Sequence, residues 1–551
     1  MLIKELLVDF VKENKIVFIF FLIITLLTFP LESIIIPELY SNLYIGIKNN
    51  PGKAMLKKIG FYILVIVVTW LLIQLFNFGR NYLNSRLLPK YFEFISKKLF
   101  NKLVLSYETN YKNVEISNNV VKIFDFTFEI KDFLNFCFIG LIPLLLAIIV
   151  ISIYLLFIDW QIGLIVMVLL LLLVFVTKYY ANKAINISEQ REKRFVNLFD
   201  NYHDSLNNLI NIYLNSEVET QLEKSGKVNA DHTDYYENQM KQVNKMIAVF
   251  SIISLIMFAV VITKSYFNLK SGKFNGKKFI TITLIIIYFL GFLMQIVTWS
   301  PDEIMRLGTI KHSLGYVKEL LKHKDKNYID HNLEYGDIEF NNVSFKYDES
   351  DTWVCKNLSF KINKGQKVSL VGSSGMGKST LMQLLLGLIQ PNDGEILINN
   401  INVNEINPRH LRKRCCFINQ DTNLFNGTVI ENIKYGNNSS DNKIISILKK
   451  YDILKHFDKL DKGIYSDVGY QGKNLSGGMR KIVINMRAVL KDSDIYIFDE
   501  PLTALDVECR NKMIKLIKDV SEGKTLIIIT HDKEIFKITD KIINLDEILK
   551  K

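Results

Sequence analysis

The sequence predicts two architectures in one chain. Residues 1–325 read as an all-α membrane bundle of six transmembrane helices with long cytosolic extensions, and residues 326–551 as an α/β P-loop domain. Three observations carry this. Hydrophobic residues make up 49% of the 551, and the excess is concentrated in the first 300. Within that part, the apolar runs approach the roughly 20 residues that a helix needs to cross a bilayer. Further on, a glycine-rich loop at 372–379 stands between a strand-like and a helix-like run.

The six apolar stretches are 16–36, 59–78, 133–158, 162–176, 246–262 and 279–299. Asp159-Trp160-Gln161 alone separates the third from the fourth, so these two form a tight hairpin. About fifty polar residues separate the second from the third, and about seventy the fourth from the fifth. Both long segments are charged, poor in Gly and Pro, and periodic at helical spacing, as expected of helices that continue into water. Pro301 is expected to end the sixth span, with a charged helical stretch, 302–326, leading away from it. The soluble domain is expected to begin near Tyr335-Gly336-Asp337, with the strand-like Ile338-Glu339-Phe340.

Composition narrows the function. The net charge of +12 would suit nucleic acid or anionic lipid. No basic run with interleaved aromatics occurs, so nucleic acid is not expected and the anionic leaflet of a membrane is the natural partner. The five cysteines, Cys137, Cys355, Cys415, Cys416 and Cys509, show neither a CxxC pair nor metal spacing and read as free thiols. The charged start and the missing small-residue cleavage site argue against a cleavable leader. Glu32 is the exceptional ionisable residue in the spans. It is a candidate for a cavity or for the outer interface, and Asn77, Arg80, Asn81 and Gln295 could line a path beside it.

The soluble half carries the chemistry. Gly372-Ser373-Ser374-Gly375-Met376-Gly377-Lys378-Ser379 fits GxxxxGK[ST], follows the strand-like Lys367-Val368-Ser369-Leu370-Val371 and opens a helix at Thr380. In such a loop the glycines let backbone N–H groups turn to phosphate, Lys378 neutralises phosphate oxygens and the Ser379 hydroxyl ligates Mg²⁺. Asp499 and Glu500 end the apolar strand-like run Asp494-Ile495-Tyr496-Ile497-Phe498. Asp499 is placed to hold Mg²⁺ and Glu500 to polarise an attacking water.

Leu475-Ser476-Gly477-Gly478 lies between the loop and the acidic pair. With this tetrapeptide the soluble half resembles the ATPase of the ATP-binding cassette (ABC) family. The resemblance implies ATP as ligand and Mg²⁺ as cofactor, with further roles at matching positions. Tyr347 matches the aromatic that stacks on adenine. Gln420 matches the glutamine that senses Mg²⁺ and the γ-phosphate. Asp506 matches the aspartate that couples the two ATP sites, and His531 the γ-phosphate histidine. Ser476, Gly477 and Gly478 would bind the γ-phosphate held by another subunit, so a dimer is implied. The chain departs from the family at Met479, Ile482, Tyr470 and Asp532, where Gln or Glu, Arg, an acid and Arg are usual.

Six spans, helical extensions and a C-terminal ATPase resemble the exporter-type ABC half-transporters. That resemblance implies a multi-pass membrane protein with its ATPase in the cytosol, paired with a second subunit, expected to be identical, and moving an amphipathic lipid, peptide or drug-like substrate. The segment 195–222, with a break near Asn207-Asn208, would carry force from the ATPase to the membrane. The alternatives are a weakly hydrolysing regulatory or channel-like subunit, and one half of a heterodimer.

Overall fold

The structure, a computed structural model, describes residues 2–49, 53–109, 116–322, 328, 335–347, 351–420 and 422–549. It divides into two compact units: Met1–Leu103 with Glu115–His323, and Val104–Val114 with Lys324–Lys551. The expected boundary at 325/326 and the end of the 302–326 stretch fall outside the described residues.

The first unit is all helix and holds six stretches long and apolar enough to cross a membrane. α1 (Leu2–Glu13) precedes the first span, which is α2 (Lys15–Pro30) and α3 (Ile36–Asn49) joined by a π-helical stretch, Leu31–Ile35. The second is α4 (Lys53–Ser106). The third runs from α5 (Ile116–Asn135) through another π-helical stretch, Phe136–Leu141, into α6 (Ile142–Ile158). Each π stretch precedes a proline, Pro37 and Pro143. Proline lacks the N–H that would pair four residues back, and the widened turn spans the residue whose carbonyl that N–H would have served.

α7 (Trp160–Asn207), α9 (Val218–Lys270) and α10 (Gly276–Lys322) complete the spans, with the short α8 (Leu209–Leu214) between α7 and α9. α7 has 48 residues and α9 has 53. At 1.5 Å per residue these measure roughly 70–80 Å, more than twice the ~30 Å of hydrocarbon in a bilayer. The two pack together through Arg194–Asp231 at 2.8 Å and Ser225 to Asn201 at 2.8 Å.

One expectation needs refinement, that of the hairpin. α10 runs through Pro301 without a break, so the charged stretch after it is helical as far as Lys322. The carbonyl that Pro301 cannot serve is that of Val297, and the Ser300 hydroxyl donates to it at 2.8 Å. The α6–α7 hairpin is tighter than three residues, since Asp159 alone is non-helical. Its Oδ1 accepts from the N–H groups of Gln161 and Ile162, while Oδ2 takes Lys273 at 2.7 Å. A break does occur after Asn207, and a second one, at 215–217, separates α8 from α9.

The second unit is layered. An antiparallel sheet, ordered β2-β1-β4-β5, contains β1 (Ile338–Phe345), β2 (Cys355–Ile362), β4 (Asp393–Ile398) and β5 (Ile401–Asn402), while β3 (Lys367–Val371) belongs to the second sheet. That second, parallel sheet also holds β6 (Cys415–Ile418), β7 (Ile495–Asp499), β8 (Thr525–Ile529) and β9 (Lys541–Asn544), in the order β6-β7-β8-β3-β9. All residues of β7 and β8 are buried, as expected of strands covered on both faces. The helices are α11 (Lys378–Leu385), α12 (Pro408–Arg414), α13 (Val429–Lys434), α14 (Asp441–Lys450), α15 (Gly477–Leu490), α16 (Val507–Val520) and α17 (Leu545–Ile548).

Candidate functional site

The carboxyl ends of β3, β7 and β8 lie side by side in the parallel sheet, the usual place for a ligand in such a fold. β3 delivers the 372–379 loop, which opens α11 at Lys378. Gly375 and Gly377 adopt φ of +85° and +77°, a region that glycine enters without a Cβ clash. The Lys378 side chain is buried and donates to the carbonyls of Gly372 at 2.6 Å and Ser373 at 3.0 Å. The Ser379 hydroxyl meets Asp499 Oδ2 at 2.5 Å. A hydroxyl and a carboxylate oxygen facing each other are the donor set of a hard divalent cation, and they fit Mg²⁺.

Glu500 follows at φ +49°, an uncommon setting for a side chain of its size. Its N–H donates to the Ile529 carbonyl at 3.0 Å, so β8 holds the Glu500 backbone. His531 lies two residues beyond Ile529 and acts on Glu500 through its charge. Burial raises the Glu500 carboxyl above its ordinary range, with Asp499 adding to the rise and His531, Lys378 and Lys481 opposing it. The turn is also held from α15. Asn485, fully buried, donates to the Pro501 carbonyl at 2.9 Å, and the buried Lys481 reaches the Asp499 carbonyl at 3.4 Å. Neither residue was singled out from the sequence, because both stand among core residues of an ordinary helix.

Tyr347 lies just past the end of β1, with its hydroxyl 2.9 Å from that of Thr380 and its ring edge-on to Phe345. Gln420 follows β6 with an exposed side chain. Asp506 caps α16, accepting from the Cys509 N–H at 2.8 Å. Ser476 caps α15, accepting from the Met479 N–H at 3.3 Å, and both Ser476 and Gly477 are exposed. A Cβ on Gly477 would meet Ala504, not the 372–379 loop, and one on Gly478 would lie 3.1 Å from the Ala504 carbonyl oxygen. The structure thus gathers Lys378, Ser379, Asp499, Glu500 and His531 at one sheet edge and leaves the Ser476 end of α15 facing outward.

Three of the departures have packing reasons. Ile482 is a buried core residue and Met479 packs on the same core. Asp532 pairs with Arg510 of α16 at 3.5 Å. Tyr470 is 66% exposed and stands beside two residues at positive φ, Gly469 and Gln471.

The first unit holds a polar cavity of about 510 Å³ between the polar continuations of α5, α7, α9 and α10. Asp125, Glu129, Glu192, Arg191 and Arg306 line it, with Arg306 on Glu129 at 3.1 Å and Thr309 on Glu192 at 3.0 Å. The sequence reading looked for a path inside the apolar runs and missed this cluster, which four distant helices assemble. Glu32 lies in the first π-helical stretch, half-buried, and interacts through its charge with Arg80 of α4.

Comparison with known proteins agrees with this layout. The ABC transporter transmembrane region family matches residues 15–293, and the ABC transporter family matches residues 355–503. A Rickettsia bellii (strain RML369-C) protein named as an export ATP-binding/permease protein is 26% identical over 98% of this chain and 92% of its own length. An ATP-dependent lipid A-core flippase of Mannheimia succiniciproducens is 33% identical over 42% of this chain and 40% of that protein. In fold, the chain is similar to a bacterial Atm1-family ABC exporter with ATP bound, at a TM-score of 0.85 and 19% identity, over 98% of this chain and 94% of that one.

Proposed function

The chain belongs to the ABC transporter family, as an exporter-type half-transporter whose membrane helices and ATPase share one polypeptide, and on that premise we propose that two copies work together as an ATP-hydrolysing exporter of an amphipathic substrate. The observation that carries this is the exposed Ser476 end of α15. Its free N–H groups at a helix N-terminus make an anion site, and in its own chain that end packs against Ala504, away from Lys378. A second copy, with its own Lys378 loop and bound ATP, would present a phosphate to that end.

In this reading the backbone of Gly372, Ser373, Ser374, Gly375 and Gly377 cradles the phosphates, with Lys378 and Thr380 beside them and Tyr347 on the adenine. Ser379, Asp499 and Gln420 would hold Mg²⁺, which neutralises phosphate charge when bound. Glu500 orients and polarises the attacking water, its carboxyl raised by burial above the ordinary range. His531 steadies the γ-phosphate, and Asp506 links one site to the other. Closing of the two ATPases on ATP turns the bundle outward, and hydrolysis reopens it. The Atm1-like fold and the flippase relative support an exporter, and the charged cavity beyond the apolar runs supports a substrate with a polar head. A weakly hydrolysing or channel-like subunit is not favoured, since Glu500 and His531 are both present.

The test is transport and ATPase activity in proteoliposomes. Glu500→Gln should leave ATP binding intact and cut turnover and transport by about 10²–10⁴-fold, the usual effect of losing a general base. Wild-type turnover by Glu500→Gln would overturn the assignment.

A further inference from the structure

One contact to the phosphate loop lies outside the roles above. Asp546, on α17, accepts two hydrogen bonds through one carboxylate oxygen: from the Ser373 backbone N–H at 2.9 Å and from the Ser373 hydroxyl at 3.0 Å. That N–H belongs to the Gly372–Ser373 peptide group. The carbonyl of the same peptide accepts from Lys378 at 2.6 Å. A single peptide group at the mouth of the loop is thus held between a carboxylate on its N–H side and an ammonium on its carbonyl side. Both bonds are charge-assisted, the stronger kind.

The sheet builds this contact. β9 runs parallel to β3 with Asn544 opposite Val371, so the loop and α17 leave the sheet side by side. Asn544 caps α17 by accepting from the Asp546 N–H at 3.1 Å, and it donates to Glu547 at 2.8 Å. Leu545 is fully buried, 3.4 Å from where a Cβ on Gly372 would stand. Asp546 is therefore held from its own backbone outward, with its carboxylate delivered to Ser373.

We propose that Asp546 is a positioning residue for nucleotide binding: it fixes the Gly372–Ser373 peptide so that the loop keeps its phosphate-binding shape when Lys378 leaves those carbonyls for the phosphates. This rests on the reading of Lys378 as a phosphate ligand. Charge gives the proposal a diagnostic sign. A carboxylate near an anion site repels the anion, so if Asp546 were only a nearby charge, its removal would tighten ATP binding. If its hydrogen bonds shape the loop, removal weakens binding.

The experiment uses the full chain in lipid nanodiscs and measures kcat and KM for MgATP together with thermal stability. Asp546→Ala should raise KM about tenfold with kcat within about twofold, the effect of losing a hydrogen bond to a charged group. Asp546→Asn, which keeps an acceptor oxygen, should restore most of the wild-type KM. Ser373→Ala should raise KM less, and Asp546→Ala should have a smaller effect in that background, because the two residues are coupled. Should the alanine variant fail to fold, Asp546→Ser carries the same test, being too short to reach both donors. An unchanged or lowered KM, with or without a loss of thermal stability, would overturn the proposal. Lys378→Ala, run alongside, separates the two levels. Wild-type ATP binding by that variant overturns the reading of the loop and the proposal with it. Loss of binding there, with an unaffected Asp546→Ala, overturns the proposal alone.

Discussion

Ser379, in the first turn of α11, and Asp499, at the end of β7, are neighbours in space, with Glu500 one residue further along in a backbone setting that few side chains adopt. The strain is held by the Ile529 carbonyl on one side and by α15 on the other. Backbone strain that persists needs such over-determination, and it aims Glu500 differently from Asp499 although the two are adjacent. The pair Ser379–Asp499 should therefore act on the metal and Glu500 on the water. Ser379→Ala tests the division. Since outer partners of a metal site are worth about 10–100-fold in affinity, removing a direct oxygen ligand should raise the Mg²⁺ needed for half-maximal turnover by at least about tenfold. A titration of ATPase activity against Mg²⁺ at fixed ATP reads this directly. An unchanged midpoint would remove Ser379 from the metal site.

At the scale of elements, α15 does two things. Its N-terminus, Ser476 and Gly477, faces outward, while Lys481 and Asn485, one turn apart, hold the turn that carries Glu500. A displacement of α15 by whatever docks on Ser476 reaches Glu500 through these contacts. Asn485→Leu would leave the buried Pro501 carbonyl without its donor, at a cost of about 1–3 kcal/mol if nothing replaces it. Turnover should fall by up to about 10²-fold, as it does when a catalytic group is misplaced by about 1 Å, while the KM for ATP stays near wild type. Steady-state kinetics check this, and a KM effect without a kcat effect would contradict it. The contrast with the loop shows what the sequence made legible. Lys378 and Ser379 belong to a pattern whose spacing sets its geometry, and the spans follow from apolar length. Asp546 meets Ser373 across a separation of 173 residues, a contact that exists only because β9 lies beside β3. Pro301 is accommodated for an equally local reason, since the Ser300 hydroxyl donates to the carbonyl that the proline cannot serve.

For the whole molecule, the decisive question is whether one chain is the working unit. Two features of a single copy face outward. The Ser476 end of α15 is exposed and turned away from its own phosphate loop, and the α8 turn carries Ile210, Tyr213 and Leu214 at 62–78% exposure, more apolar surface than an isolated water-exposed tip needs. Both follow if a second copy supplies the counterpart. A mixed pair makes this testable without knowledge of the substrate. Ser476→Arg places a long cation where a γ-phosphate would sit against the helix N-terminus, and Lys378→Ala empties the loop. If each site takes its loop from one copy and its Ser476 end from the other, a pair of one Ser476→Arg chain and one Lys378→Ala chain puts both lesions in one site and leaves the other whole. Co-expressed, differently tagged chains purified through both tags should keep measurable ATPase activity, while each variant alone should have almost none. If each chain closed its own site, both halves of the mixed pair would be defective and the mixture would be as inactive as its components. Wild-type activity of Ser476→Arg alone would dismiss the composite site altogether, because a helix N-terminus that binds phosphate cannot accept an arginine in its first turn without losing the space the phosphate needs.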